Sequence, residues 1–273
     1  EDGFGKAKDA EEFCRWAQLI NYNGYRAMFE STSKSRAGLL LWMSHPCWPS
    51  MVWQTYDYYF DPTAAYFGCK KACEPLHIQY NALTDSIEIV NHSAGNHQAV
   101  TATATVYDIN GKRTCQQKAR LNSGDDTTTA WISLSKLMPK TPSDVYFLRL
   151  TIESKHGVVS ENTYIMGREE GKYQALKTLP QAEVDQQTSI ISEDNSRIAC
   201  VILRNKSHIP APFLRLNLLG ADGKQILPAL YSDNYVTLMP GEQKTVTVRW
   251  KQEDARGQEA HIEITGLQSN EKE

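Results

Sequence analysis

Cysteine, histidine and carboxylate side chains set the chemical repertoire of this 273-residue sequence. Cys69 and Cys73 stand four residues apart, which on a helix places both thiols on one face, and a metal site there needs two further ligands. No Cys-x-x-Cys or His-x-x-x-His pattern supplies them, so the pair reads as core-facing and no metal or cofactor is expected. His92, His97 and His208 fall in turns without ligand spacing between them. Asn91-His92-Ser93 and Asn205-Lys206-Ser207 match the N-glycosylation sequon. The six cysteines (Cys14, Cys47, Cys69, Cys73, Cys115, Cys200) are too sparse for a disulfide scaffold and are expected to be free, most of them buried. The densest run of rings and hydrogen-bonding side chains is the Pro- and aromatic-rich stretch from His45 to Asp61.

Composition narrows what those side chains can serve. A hydrophobic share of 41% and a charged share of 22% are those of a soluble globular chain. The net charge of −3, without a long run of either sign, argues against nucleic acid and anionic membrane surfaces as partners. The longest apolar stretch, Gly38 to Met43, falls far short of the roughly 20 residues of a membrane helix, so no membrane span is expected. The opening Glu1-Asp2-Gly3-Phe4-Gly5-Lys6 has neither the basic start nor the apolar block of a signal peptide.

The length suggests two or three units at roughly 100–200 residues each. Residues 8 to about 33 read as a helix, with Phe13, Trp16, Leu19 and Ile20 at three- and four-residue spacing and Arg26, Met28 and Phe29 continuing it. Gly38 to Ser44 is a short apolar run of the kind buried on both faces of a parallel sheet, which predicts a strand over Leu39 to Ser44. After the aromatic stretch, Pro62 is placed to open a second helix that runs to Glu74 and stops at Pro75. Helix, buried strand, long loop and helix fit the closing unit of an α/β sheet or barrel, whose other strands would precede residue 1.

From His77 the apolar period becomes two: Ile78 and Tyr80, Ile87 and Ile89, Val100 to Tyr107, Val145 to Ile152, Val158 to Met166. Asn110-Gly111 marks a tight hairpin, and about seven short strands in this stretch predict a sandwich. A polar stretch from Gly167 to Asp185 is followed by a second set of strands at Arg197 to Leu203, Phe213 to Leu219, Tyr235 to Leu238, Lys244 to Trp250 and His261 to Thr265. Turns at Ala221-Asp222-Gly223 and Met239-Pro240-Gly241-Glu242 punctuate it. The expected fold class is therefore mainly β: two immunoglobulin-like β-sandwich domains, at 76–168 and 169–273, preceded at 1–75 by the last α/β unit of a (β/α)8 TIM barrel.

The stretch Leu41-Trp42-Met43-Ser44-His45-Pro46-Cys47-Trp48-Pro49-Ser50-Met51-Val52-Trp53-Gln54-Thr55-Tyr56-Asp57-Tyr58-Tyr59, with Ala65 to Gln79, resembles the end of the catalytic barrel in glycoside hydrolase family 2. Tyr231-Ser232-Asp233-Asn234-Tyr235-Val236-Thr237-Leu238-Met239-Pro240-Gly241-Glu242 is similar to the last sandwich of the same enzymes. Within the family the likeness is to exo-β-D-glucosaminidases, and more distantly to β-mannosidases and mannosylglycoprotein endo-β-mannosidase. The resemblance implies a jelly roll, a first sandwich and most of the barrel upstream as covalent partners, a glycan or oligosaccharide substrate, and a secreted or periplasmic enzyme.

Retaining glycosidases use two carboxylates about 5–5.5 Å apart, one as acid/base and one as nucleophile. The resemblance puts both on earlier barrel strands, and no Asp or Glu stands at the end of Leu39 to Ser44. Asp57 lies beyond the strand end, where a structural role outweighs a catalytic one, so this chain alone is expected to be inactive. What it can offer is one wall of the sugar site: Trp48 and Trp53 as ring faces for the apolar side of a pyranose, His45 and Gln54 as hydrogen-bonding partners for hydroxyls. The competing reading makes Trp48, Trp53, Tyr56, Tyr58 and Tyr59 packing aromatics that seat the barrel on the next sandwich. His45 departs from the family, which tends to Asn there, and this leaves the sugar open. A non-catalytic carbohydrate-binding or structural β-sandwich module is the alternative for the whole chain, and residues 1–75 discriminate, since a free-standing module has no reason to carry barrel elements.

Overall fold

The computed structural model describes residues 3–31, 38–51, 53–138, 143–169 and 171–268. The chain divides into two compact units, one of Glu1–Ala7, Ile20–Leu41 and Gly68–Thr178, the other of Lys8–Leu19, Trp42–Phe67 and Leu179–Glu273. Two helices are divided between them. Helix α1 (Ala10–Ser31) starts where Asp9 Oδ1 accepts the Glu12 N–H at 2.7 Å, satisfying one donor that the first turn leaves open, and the Glu12 carboxylate reaches back to accept the Lys8 N–H before the cap at 2.7 Å. The expected buried stripe shifts: Trp16, Leu19, Tyr22, Arg26 and Glu30 are buried, whereas Phe13, Ile20 and Met28 are exposed. The last two expected residues, 32 and 33, lie outside the described ones.

Helix α2 (Ala64–Ala72) begins two residues later than Pro62. Pro62 pairs instead with Tyr56 in an isolated β-bridge, and the Thr63 carbonyl accepts the first helical bond, from Tyr66 N at 3.1 Å. The helix also ends short of Glu74, at Ala72. The strand expected over Leu39 to Ser44 does not form: no described segment pairs with it, Leu40 and Trp42 are among the most exposed apolar side chains of the chain, and Met43 takes a left-handed φ of 57°. An apolar run becomes a parallel strand only when neighbours complete its ladder, and none of the described segments does so.

The first unit's sandwich holds β1 (Leu76–Asn81), β2 (Ser86–Asn91), β3 (His97–Asp108), β4 (Arg113–Ser123), β5 (Thr127–Ser133), β6 (Val145–Ser154) and β7 (Gly157–Gly167). They form antiparallel sheets of order β1-β2-β5 and β4-β3-β6-β7. One core joins both sheets: Ile78, Ile87 and Ile89 from the first meet Val100, Ala102, Ala104, Val106, Leu148, Leu150 and Ile152 from the second. The β3–β4 hairpin turns at Asn110-Gly111 as expected, with Gly111 at φ 80° and Asp108 Oδ1 accepting from Asn110 N and Lys112 N.

The second unit's strands are β8 (Val184–Glu193), β9 (Ser196–Asn205), β10 (Ala211–Gly220), β11 (Ala229–Tyr231), β12 (Val236–Leu238), β13 (Gln243–Lys251) and β14 (Ala260–Thr265), in antiparallel sheets β11-β13-β9-β8 and β12-β10-β14. Alternation is clean on β9 and β13, where Ala199, Val201 and Leu203 and then Val246, Val248 and Trp250 are buried. Tyr231 on β11 reaches the other sheet, its hydroxyl oxygen accepting the Leu218 N–H at 3.0 Å. Among the described residues no helix is long and apolar enough to cross a membrane.

Both sequons turn out to be internal fasteners. Asn91 is buried, its amide donating to the carbonyls of Gly95 at 2.9 Å and Gly124 at 2.7 Å, its oxygen accepting from Ser93 N. Asn205 repeats the arrangement, donating to Ile209 O at 2.8 Å and Leu238 O at 3.1 Å and accepting from Ser207 N. In each triplet the serine closes an Asx turn and the asparagine amide ties neighbouring loops. Asn205→Ala is expected to destabilise the second unit by about 1–3 kcal/mol, because one buried and one half-buried carbonyl and one N–H lose their partners. A shift of the urea midpoint at unchanged slope checks it.

Candidate functional site

In the second unit the aromatic stretch is an irregular loop held at its base by backbone bonds. Tyr56 N and Thr55 Oγ1 both donate to Ser44 O, and Thr63 Oγ1 donates to Gln54 O at 2.8 Å. At its far end residues 57–61 close a tight turn: Asp57 N donates to Asp61 O and Phe60 N to Asp57 O, while Asp57 Oδ1 accepts from Tyr59 N at 2.8 Å and Asp61 N at 2.9 Å. Asp57 thus holds the turn, the structural role weighed against a catalytic one. Phe60 takes a left-handed φ of 68°, which costs a side-chain-bearing residue free energy and persists only where the surroundings enforce it.

His45 stacks on Phe60 with ring centroids 4.4 Å apart and an interplanar angle of 13°, and its Nε2 donates to Tyr58 O at 3.3 Å. Trp48 and Trp53 stand well exposed, at 67% and 54%. Gln54, expected to reach hydroxyls, is instead 2% exposed, and its side-chain oxygen meets no donor among the described residues. The loop therefore brings His45, Trp48 and Trp53 to the surface and turns Gln54 inward. Of the expected packing aromatics, Tyr56 is half-buried against Tyr66 at 5.5 Å, whereas Tyr58 and Tyr59 are exposed and meet edge to face.

Directly after the turn, Asp61 is buried and ion-paired with Arg215 of β10. Gln225 Nε2 donates to the same Asp61 oxygen at 2.9 Å, and Asn217 Oδ1 accepts from both Arg215 and Gln225. Burial pushes the Asp61 carboxyl above its ordinary range, and the Arg215 charge and the Gln225 bond only partly offset this.

In the first unit the sequence hid a second polar assembly. Glu30 Oε1 accepts from His77 Nε2, Asn162 Nδ2 and Tyr164 Oη, each at 2.9 Å. The other nitrogen of His77, Nδ1, stands 3.0 Å from Glu74 Oε2, which also accepts from Ser160 Oγ at 2.6 Å, while Lys71 Nζ reaches Glu74 Oε1 at 2.8 Å. Arg26 donates to Asn162 Oδ1 and Thr163 O and lies 3.9 Å over the Tyr164 ring. Burial opposes a charge on His77, but the bonds to Glu30 and Glu74 outweigh it and raise its pKa. Burial likewise opposes charge on Glu74, and His77 and Lys71 reverse the effect and lower its pKa. The available signal was Arg26 and Glu30 four apart on the buried stripe of α1, opposite the alternate polar positions His77, Gln79 and Asn81 of β1.

The thiols are unbridged as expected but differ from expectation in burial. Cys14, Cys69, Cys115 and Cys200 are half-buried and Cys47 and Cys73 exposed, so none is fully buried. Burial pushes the Cys69 thiol up to about 12, with Cys73 adding to the shift, which makes it a poor nucleophile at neutral pH. Among the described residues no third or fourth ligand gathers around the pair.

Residues 162–269, from within β7 to beyond β14, match the family described as the exo-β-D-glucosaminidase Ig-fold domain. The chain carries the Ig-fold domain of that family. It is homologous to exo-β-glucosaminidases and β-mannosidases. It is 29% identical to an exo-β-D-glucosaminidase of Amycolatopsis orientalis, over 96% of this chain and 28% of the relative. It is 32% identical to a mannosylglycoprotein endo-β-mannosidase of Lilium longiflorum, over 59% of this chain and 18% of the relative. The crystal structure of the Amycolatopsis orientalis exo-chitosanase is similar with a TM-score of 0.88 and 28% identity, covering 97% of this chain and 35% of that one. The chain thus spans about a third or less of the proteins it matches. The mainly β architecture with β-sandwich domains agrees with the likeness.

Proposed function

We propose that this chain is the C-terminal part of a retaining family 2 glycoside hydrolase, of exo-β-glucosaminidase or β-mannosidase type, acting on a glycan or oligosaccharide outside the cytoplasm. In this reading residues 1–75 close the catalytic barrel, and 76–168 and 169–273 are the two immunoglobulin-like sandwiches that follow it. The loop after the barrel's last strand presents His45, Trp48 and Trp53 as one wall of the sugar site. Gln54, turned inward, supports the loop through its backbone carbonyl, which accepts from Thr63 Oγ1, rather than meeting a sugar hydroxyl.

The observation that carries the reading is the likeness to the exo-chitosanase along 97% of the chain, which includes the aromatic loop as well as the sandwiches. Exposed indole rings suit the apolar face of a pyranose, and their exposure in an otherwise ordinary soluble chain calls for a covering ligand or domain. The run at Leu39 to Ser44 becomes a strand when the rest of the barrel supplies its neighbours. Both reacting carboxylates belong to earlier barrel strands: Asp57 is committed to its turn and Asp61 to Arg215, and neither is placed as one of two free carboxylates about 5–5.5 Å apart.

This chain by itself is accordingly expected to show no turnover of p-nitrophenyl β-glucosaminide, β-mannoside or β-galactoside, whereas the full-length protein hydrolyses one of the first two with retention of configuration. Release of p-nitrophenol and the anomer formed first, read by NMR, decide it. Turnover by the chain alone overturns the assignment of the carboxylates, and a full-length protein that binds sugars without cleaving them returns the reading to a binding module.

A further inference from the structure

We infer that Arg215, with Gln225, is a positioning residue for the sugar-facing loop: the last sandwich sets the place of His45 through Asp61. The inference rests on the proposed sugar site for its functional half and on the geometry of the second unit for the rest.

The connection runs through named contacts. Arg215 and Gln225 both hold the Asp61 carboxylate. The Asp61 backbone closes the turn with Asp57 in both directions, its N–H to Asp57 Oδ1 at 2.9 Å and its carbonyl from Asp57 N at 3.0 Å. That turn carries Phe60, on which His45 stacks, and Tyr58, whose carbonyl His45 engages. Every covalent and hydrogen-bonded step from β10 to the imidazole is therefore accounted for.

Energetics favour a geometric role over a stabilising one. Asp61 is buried and Arg215 half-buried, so the pair gives up much of its hydration, mostly on the carboxylate side, and an apolar pair of the same volume is often as stable as a buried ion pair or more so. Asp61 bears this cost visibly, since burial raises its carboxyl in spite of Arg215. What the pair supplies is direction. The planar guanidinium and the Gln225 amide converge on one oxygen, and Asn217 holds both donors in place. The left-handed Phe60 needs such enforcement. Arg215 and Asn217 lie two apart on β10, so a strand of the sandwich core presents them together.

The test pairs a spectroscopic readout on this chain with kinetics on the full-length protein. In the chain, Arg215→Met is expected to displace the His45 ring resonances, while Arg249→Met, which removes a surface pair with Glu193, leaves them in place. If Arg215→Met does not fold, Gln225→Leu removes the second contact alone and is expected to move the same resonances by less. In the full-length protein, with PNP-β-D-glucosamine as the probe, Arg215→Met is expected to lower kcat/KM by up to about a hundredfold. The loss should fall mainly on KM, because a binding contact is misplaced. Unmoved His45 resonances in both variants overturn the inference. A wild-type full-length protein that hydrolyses nothing while His45 still responds to Arg215 removes the proposed function and leaves the coupling standing.

Discussion

Glu30→Ala destabilises the first unit by about 3–5 kcal/mol, the usual loss when one partner of a buried charged assembly is removed. The carboxylate accepts from His77, Asn162 and Tyr164 at once, and every one of these donors is buried. Without it three donors face a cavity and His77 keeps only one of its two carboxylate partners, Glu74. Hydrogen exchange of the β1 and β7 amides reads the loss locally, without interference from the second unit. Replacing Glu30 and His77 together by Met and Leu should cost less than Glu30→Ala alone, since no charge is then stranded opposite a gap; an equal or larger cost would show that packing, not charge, dominates.

The same assembly fixes the sign of a pH effect. The folded-state pKa of His77 is raised, so its contribution to stability is fully present below the ordinary value of about 6.5 and fades as pH climbs through the raised one. For Glu74 the folded-state pKa is lowered; its contribution is present above about 4.5 and fades as pH falls through the lowered one. Protection of β1 amides is therefore expected to be greatest in mildly acidic solution and to decline toward alkaline pH, and His77→Gln should remove the alkaline decline.

Gly68→Ala is the second large effect, and two opposed magnitudes decide its direction. Within a helix alanine is favoured over glycine by about 1 kcal/mol. At this position a Cβ would run into the Tyr22 carbonyl oxygen of α1, well inside contact distance, with Arg26 N 3.2 Å away. Backbone atoms cannot rotate aside as a side chain does, so α2 must shift, at a cost of about 1–3 kcal/mol or more. The net outcome is a loss of stability in the first unit, and a midpoint equal to or above that of the wild type would show that α2 moves freely.

Much of the β architecture was legible because burial alternates where the strands are central. β3 and β13 show their buried apolar residues at every second position, β6 opens on four consecutive buried apolar residues and β9 runs apolar from Ile198 to Leu203, and the hairpin at Asn110-Gly111 follows from the one residue that takes φ of 80° without strain. β4 and β8 were not placed: they lie at sheet edges with mostly exposed residues, so no inward face imprints a period on them. The apolar run at 39–44 misled for the converse reason, since hydrophobicity reports what a segment can bury and not whether its neighbours are at hand.

For the candidate site, aromatic density marked the loop, but no local signal told that Gln54 points inward or that Asp61 would find Arg215, 154 residues away. Long-range polar pairing leaves no periodicity. The assembly around Glu30 was concealed likewise, because each of its members looks like an ordinary surface residue until α1 and β7 are brought to β1.

The two Asn-x-Ser fasteners bear on how this protein can be made. A ribosome-associated glycosyltransferase reads the triplet on the nascent chain, before the amides of Asn91 and Asn205 have found their carbonyls. A glycan attached at that moment would occupy the nitrogen that each fold needs, and the chain could not then close over it. In a secretory eukaryotic host, folding thus competes with modification at the same two atoms, and yield there should rise when the serines, rather than the asparagines, are replaced by alanine.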